Sequence, residues 1–151
     1  MSATPEPLDI EVLRLDPELP LSSSARAGDA GVDLLASAGV SLHAAGGRAV
    51  VGTGMCLAIP FGYCGLILPR SGLARNHGVT CLNTPGLIDA GYRGEIQVLL
   101  INTDPTLDYE VQRGDRIAQF VVMAFSSVRF IAVDALTVSE RGDQGWGHSG
   151  R

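Results

Sequence analysis

No window of about twelve residues in this chain carries an apolar stripe at the 3.6-residue spacing of a helix. Apolar residues come instead in short runs, interrupted about every 8–12 residues by Gly, Pro, Asn or Asp. Such a chain can bury its apolar side chains only by pairing strands. The sequence therefore predicts an all-β subunit, a jelly-roll-like β-sandwich or barrel, with nineteen glycines and eight prolines at its corners. The runs place strands at 10–14, 40–43, 48–52, 55–59, 64–68, 79–82, 95–102, 107–111, 116–125 and 128–133. Pro69 to Arg75 breaks the rhythm and is the best candidate for a short helical turn.

At 151 residues and 46% hydrophobic, the chain is long enough to bury one core. The expected organisation is a disordered lead over 1–8, a β domain over 9–138 and a flexible arm over 139–151. A net charge of −5 lacks the basic excess of a nucleic-acid polymer binder, although a single nucleotide needs only a few local cations. No apolar run reaches the roughly 18–20 residues that span a bilayer, and the first residues lack a basic or apolar leader. The expectation is a soluble, cytoplasmic chain with no membrane partner. Cys56, Cys64 and Cys81 lie in apolar segments without a Cys-x-x-Cys pair, so they read as buried free thiols. His43, His77 and His148 are scattered, which argues against a protein-caged transition metal.

Residues 83–95, Asn-Thr-Pro-Gly-Leu-Ile-Asp-Ala-Gly-Tyr-Arg-Gly-Glu, read as a β-hairpin turning at Ala90-Gly91. Gly86, Gly91 and Gly94 leave bare backbone for close approach, and Asp89 and Tyr92 put an acid and a ring beside it. An Asx-capped tight turn is an equally ordinary reading of Asp-Ala-Gly. Arg70-Ser71-Gly72 follows a strand and offers a guanidinium, a hydroxyl and backbone N–H groups to phosphate oxygens, although a helix-capping Ser is common. Asp33 lies near a strand start and Gln119 on a strand, positions compatible with turn capping and cross-strand pairing. After Ser139 the chain is rich in glycine around one large apolar side chain, Trp146. It is either a frayed end or an arm that orders over a ligand, with Trp146 stacking and Arg141 meeting negative charge.

Taken in order, Ala30-Gly31-Val32-Asp33, Pro69-Arg70-Ser71-Gly72, Gly86-Leu87-Ile88-Asp89-Ala90-Gly91-Tyr92-Arg93-Gly94, Arg113-Gly114-Asp115-Arg116-Ile117-Ala118-Gln119 and the ending from Arg141 to Gly150 are distinctive. They resemble the five ordered motifs of trimeric deoxyuridine triphosphatases (dUTPases), over roughly Ile10 to Gly150. The resemblance implies a homotrimer with shared sites that hydrolyses dUTP to dUMP and pyrophosphate with Mg²⁺. Such a reaction clears dUTP from the nucleotide pool and supplies dUMP for thymidylate synthesis.

It further implies that Asn83 and the backbone of Leu87, Ile88 and Asp89 hold uracil, while Tyr92 packs under the deoxyribose and excludes a 2′-hydroxyl. Gln97 matches a further nucleotide contact. Arg70, Ser71, Gly72 and Gln119 match phosphate contacts, and Asp33 matches an acid reaching the metal through water. Asp89 is implied as general base, and Arg141, Trp146 and Ser149 as the part of the tail that closes the site. Gln144, Trp146 and His148 stand where the family usually has Gly, Phe and Ser; function is expected to survive, with Gln144 bearing on closure. Two rivals share the fold: a dCTP deaminase and a non-catalytic nucleotide-binding β-trimer.

Overall fold

The computed structural model describes residues 7–139 apart from 25 and 27, together with 142 and 143. Ten strands follow in order: β1 (Glu11–Arg14), β2 (Val32–Leu35), β3 (Val40–Leu42), β4 (Arg48–Ala58), β5 (Tyr63–Pro69), β6 (Val79–Cys81), β7 (Gly86–Ile88), β8 (Glu95–Asn102), β9 (Tyr109–Val111) and β10 (Arg116–Ala124). One helix, α1 (Ser71–His77), separates β5 from β6. The all-β expectation holds, and the short helical turn expected over Pro69 to Arg75 is found as α1, two residues further on. Residues 1–6 of the expected lead over 1–8 and the arm residues Arg141, Gln144, Trp146, His148 and Ser149 lie outside the described residues.

The strands form two four-stranded sheets, ordered β1-β4-β8-β6 and β2-β10-β5-β7, and a β3-β9 ribbon. All pairings are antiparallel. Strand β8 shows why the sheets close on each other: Ile96, Val98, Leu100 and Asn102 alternate inward and are buried. They meet Leu34 from β2, Ile67 from β5, Phe120 from β10 and Leu42 from β3 in one shared core. Cys56, Cys64 and Cys81 are free and buried, as the sequence predicts. Burial pushes the Cys81 thiol up to about 11, so it stays protonated and unreactive at neutral pH.

Glycine decides one packing contact between strands. A Cβ at Gly65 would run into the Phe120 ring, with Cζ at 2.5 Å and Ile59 Cδ1 at 3.0 Å. Gly65→Ala is expected to cost about 1–3 kcal/mol by overpacking, read as a lower urea midpoint with an unchanged slope.

Three expectations are corrected. Runs 48–52 and 55–59 are one strand, β4, because Gly52-Thr53-Gly54 forms a bulge rather than a turn. Thr53 Oγ1 donates to the Ile96 carbonyl at 2.7 Å, and the Gly54 N–H donates to Glu95 Oε1 at 2.9 Å, which holds the bulge in place. Residues 83–95 do turn at Ala90-Gly91, with the Tyr92 N–H donating to the Asp89 carbonyl at 3.0 Å. They do not form a hairpin: β7 pairs with β5 while β8 pairs with β4 and β6, so the turn carries the chain from one sheet to the other. Residues 128–133 have no strand partner among the described residues and run exposed, Phe130 at 95%.

Candidate active site

Two groups of predicted site residues come together separately. The first gathers where β2, β5 and β10 adjoin. Asp33 on β2 faces Gln119 on β10, and Gln119 in turn faces Leu68 on β5. Arg70 follows the end of β5 and holds the N-cap position of α1 with extended backbone (φ −86°, ψ 123°), its side chain turned back to the sheet rather than capping the helix. Its Nε donates to Asp33 Oδ1 at 3.0 Å. Ser71 and Gly72 follow as the exposed first residues of α1, where backbone N–H groups lack intrahelical partners.

Arg116, which sequence reasoning passed over, completes this group. Its Nη1 lies 3.6 Å from Asp33 Oδ2. The cause is a register shift between Arg116 and Ala118 that buries Ile117 and Ala118 in succession and turns Arg116 to the Asp33 side. Two adjacent apolar residues within an alternating strand were the available signal. The two guanidiniums stand against the carboxylates of Asp33 and, in the same cavity, Asp115, and their N–H groups are donors that suit phosphate oxygens. A shallow cavity of about 320 Å³ opens here, lined by Arg70, Leu73, Tyr109, Gly114, Asp115 and Arg116. Burial first, and then the Asp115 carboxylate, raise the Tyr109 hydroxyl above its ordinary value, so it remains a neutral donor at the rim.

The second group lies around the turn at 89–92. Leu87, Ile88, Asp89, Tyr92, Glu95 and Gln97 line a cavity of about 260 Å³. Leu87 is 62% exposed, so one face of β7 is open. Asn83 precedes it, next to the cis Thr84-Pro85 peptide, with Nδ2 close to Gly86. The Tyr92 hydroxyl donates to the Glu95 carbonyl at 3.1 Å, and Arg93 braces the turn through the Ala90 and Tyr92 carbonyls at 2.6 and 2.8 Å. Asp89 is exposed on this turn. Glu95 is the second residue missed; it lines this cavity while its Oε1 accepts from the Gly54 N–H of the β4 bulge.

The register fixes how far apart the groups are. Ile88 faces Gly65 on β5, so Asp89 comes level with Cys64, six residues along the strand from Arg70. At about 3.3 Å per residue the two are roughly 20 Å apart within one chain. Among the described residues no three His, Cys, Asp or Glu side chains cluster as metal ligands. Asp33, with Oδ2 only loosely engaged by Arg116, suits a water-mediated contact to a divalent ion that brings its own ligands.

A corner with two arginines and a separate cleft with an exposed acid are what a nucleotide-cleaving site needs. The dUTPase family model matches residues 18–150. This chain belongs to the dUTPase family. The deoxyuridine 5′-triphosphate nucleotidohydrolase of Thermobifida fusca (strain YX) is 52% identical over 141 residues, covering 93% of this chain and 78% of that protein. The Corynebacterium glutamicum protein of the same name is 51% identical over 142 residues, covering 94% and 95%. Among solved structures, the Staphylococcus bacteriophage 80alpha dUTPase with dUPNHPP superposes with a TM-score of 0.85 at 27% identity, covering 95% of this chain and 99% of that one. The all-β fold is thus that of the dUTPases, and no helix among the described residues is long and apolar enough to cross a membrane.

Proposed function

We propose that this dUTPase-family chain hydrolyses dUTP to dUMP and pyrophosphate in a homotrimer whose sites are each shared between copies. The observation that carries this reading is the separation of the two groups. A base on Asp89 and the arginines around Asp33 cannot converge on one phosphorus from roughly 20 Å apart, but they can when the Asp89 cleft of one chain abuts the Arg70 corner of another. An uncovered apolar segment supports assembly: Val128, Phe130, Ile131, Leu136 and Val138 are 70–102% exposed after β10 leaves its sheet.

In this reading the open β7 edge at Leu87 to Asp89, with Asn83, pairs with the uracil edge, and Tyr92 packs under the sugar. Gln97 adds a nucleotide contact. Arg70, Ser71, Gly72 and Gln119 take the phosphates, and Arg116 joins them. Asp89 orients a water and accepts its proton during in-line attack at the α-phosphorus. Arg141 spreads charge from the phosphoryl oxygens, while Trp146 and Ser149 close the tail over the nucleotide. Asp33 would reach Mg²⁺ through water, and the ion, held mainly by the triphosphate, would supply neutralising charge for the pyrophosphate leaving group.

The test is pyrophosphate release from dUTP, dCTP, dTTP and UTP, each with Mg²⁺ and with excess chelator. Release from dUTP alone, lost with the chelator, is expected. Silence on dUTP overturns the reading, and ammonia release from dCTP would then identify a deaminase.

A further inference from the structure

We infer that Gly94 determines sugar selection by letting the Tyr92 ring lie against the backbone. The inference rests on Tyr92 being the sugar platform. A Cβ built on Gly94 would stand 2.5 Å from Tyr92 Oη, 2.7 Å from Cζ and 3.1 Å from Cε2. The phenol end therefore occupies the space that any other side chain at position 94 would take. It is tied there by the hydroxyl's bond to the Glu95 carbonyl. Gly94 is not among the glycines with positive φ, so its backbone conformation is open to alanine. The requirement for glycine comes from the ring, not from the turn.

Gly91 offers the contrast three residues earlier. It too lacks positive φ, and a Cβ there would meet nothing within 4 Å. Two glycines of one loop thus differ in a single respect, whether a side chain would displace Tyr92. The ring is 44% exposed and has no other hydrogen-bonded tether among the described residues. A methyl at Gly94 pushes it toward the cleft lined by Leu87 and Gln97 or out to solvent. Either shift changes the gap that a sugar must fit. Gly94 is a positioning residue that acts through Tyr92 and touches no substrate atom.

The experiment measures kcat/KM for dUTP and UTP in the full chain and in Gly94→Ala, Gly91→Ala and Tyr92→Ala, with melting curves in parallel. Gly94→Ala is expected to shrink the dUTP:UTP ratio about tenfold or more at an unchanged melting midpoint. Gly91→Ala is expected to keep the wild-type ratio. An unchanged ratio in Gly94→Ala, beside a collapsed one in Tyr92→Ala, overturns the role of Gly94 alone. An unchanged ratio in Tyr92→Ala overturns the sugar-platform reading and this inference with it. Should Gly94→Ala melt early, Tyr92→Phe removes the tether without adding a side chain. A lower ratio then supports the inference, and an unchanged one overturns it.

Discussion

Asp89→Ala is expected to lower kcat for dUTP by about 10²–10⁴-fold while dUTP still binds. The side chain is small, exposed and on a turn held by backbone bonds, so its loss leaves the cleft intact. Arg93 braces that turn from outside, through carbonyls the substitution does not touch. In the proposed reading uracil falls to Asn83 and the β7 backbone and the sugar to Tyr92, which also survive. The loss therefore belongs in the chemical step. Rapid-quench single turnovers separate it from product release, and calorimetry with the variant reports affinity. Wild-type kcat in Asp89→Ala would remove the residue from the role of base. A matched loss of affinity would instead make Asp89 part of the binding surface.

The second large effect is on stability. Asn102 at the end of β8 is fully buried, an amide inside an aliphatic core. Its Nδ2 donates to the Leu42 and Leu107 carbonyls at 3.0 and 2.8 Å, and its Oδ1 accepts from the Asp104 N–H at 3.0 Å. The one side chain joins β3, β8 and the loop entering β9. Asn102→Ala strands two carbonyls and an N–H and opens a small void, for an expected cost of about 3–5 kcal/mol. For a domain of this size that lowers the melting midpoint by roughly 10 °C. Calorimetric melting of the variant checks it; a drop of only a degree or two would mean that water replaces the amide at all three partners.

Strand positions were legible because period-2 alternation and turn residues are local, and β8 follows that pattern without interruption. Partner choice is not local. The stretch from Gly86 to Gln97 has the alternation and tight turn of a hairpin, yet its two arms belong to different sheets, a decision made by β5 and β4 far along the chain. Residues 128–133 have strand propensity without a partner among the described residues. Glycine misled at Gly52 and Gly54, where it marks a bulge pinned by Glu95. For the candidate site, the motifs led to Asp33, Arg70 and Gln119, which do adjoin. They passed over Arg116, because its direction depends on a one-residue slip in β10 that only pairing with β2 exposes.

The roughly 20 Å between Asp89 and Arg70 has a genetic corollary. When each working site draws its base from one polypeptide and its arginines from another, inheritance follows the assembly rather than the chain. In the proposed trimer, an allele lacking only Asp89 and an allele lacking only Arg70, each inert alone, are expected to complement when co-expressed, since about one site in four of a randomly mixed trimer would unite the intact halves. Against the wild type, either lesion spoils only the one site that would draw the missing group from that copy, so about half the sites of an equal mixture stay intact and neither allele is dominant.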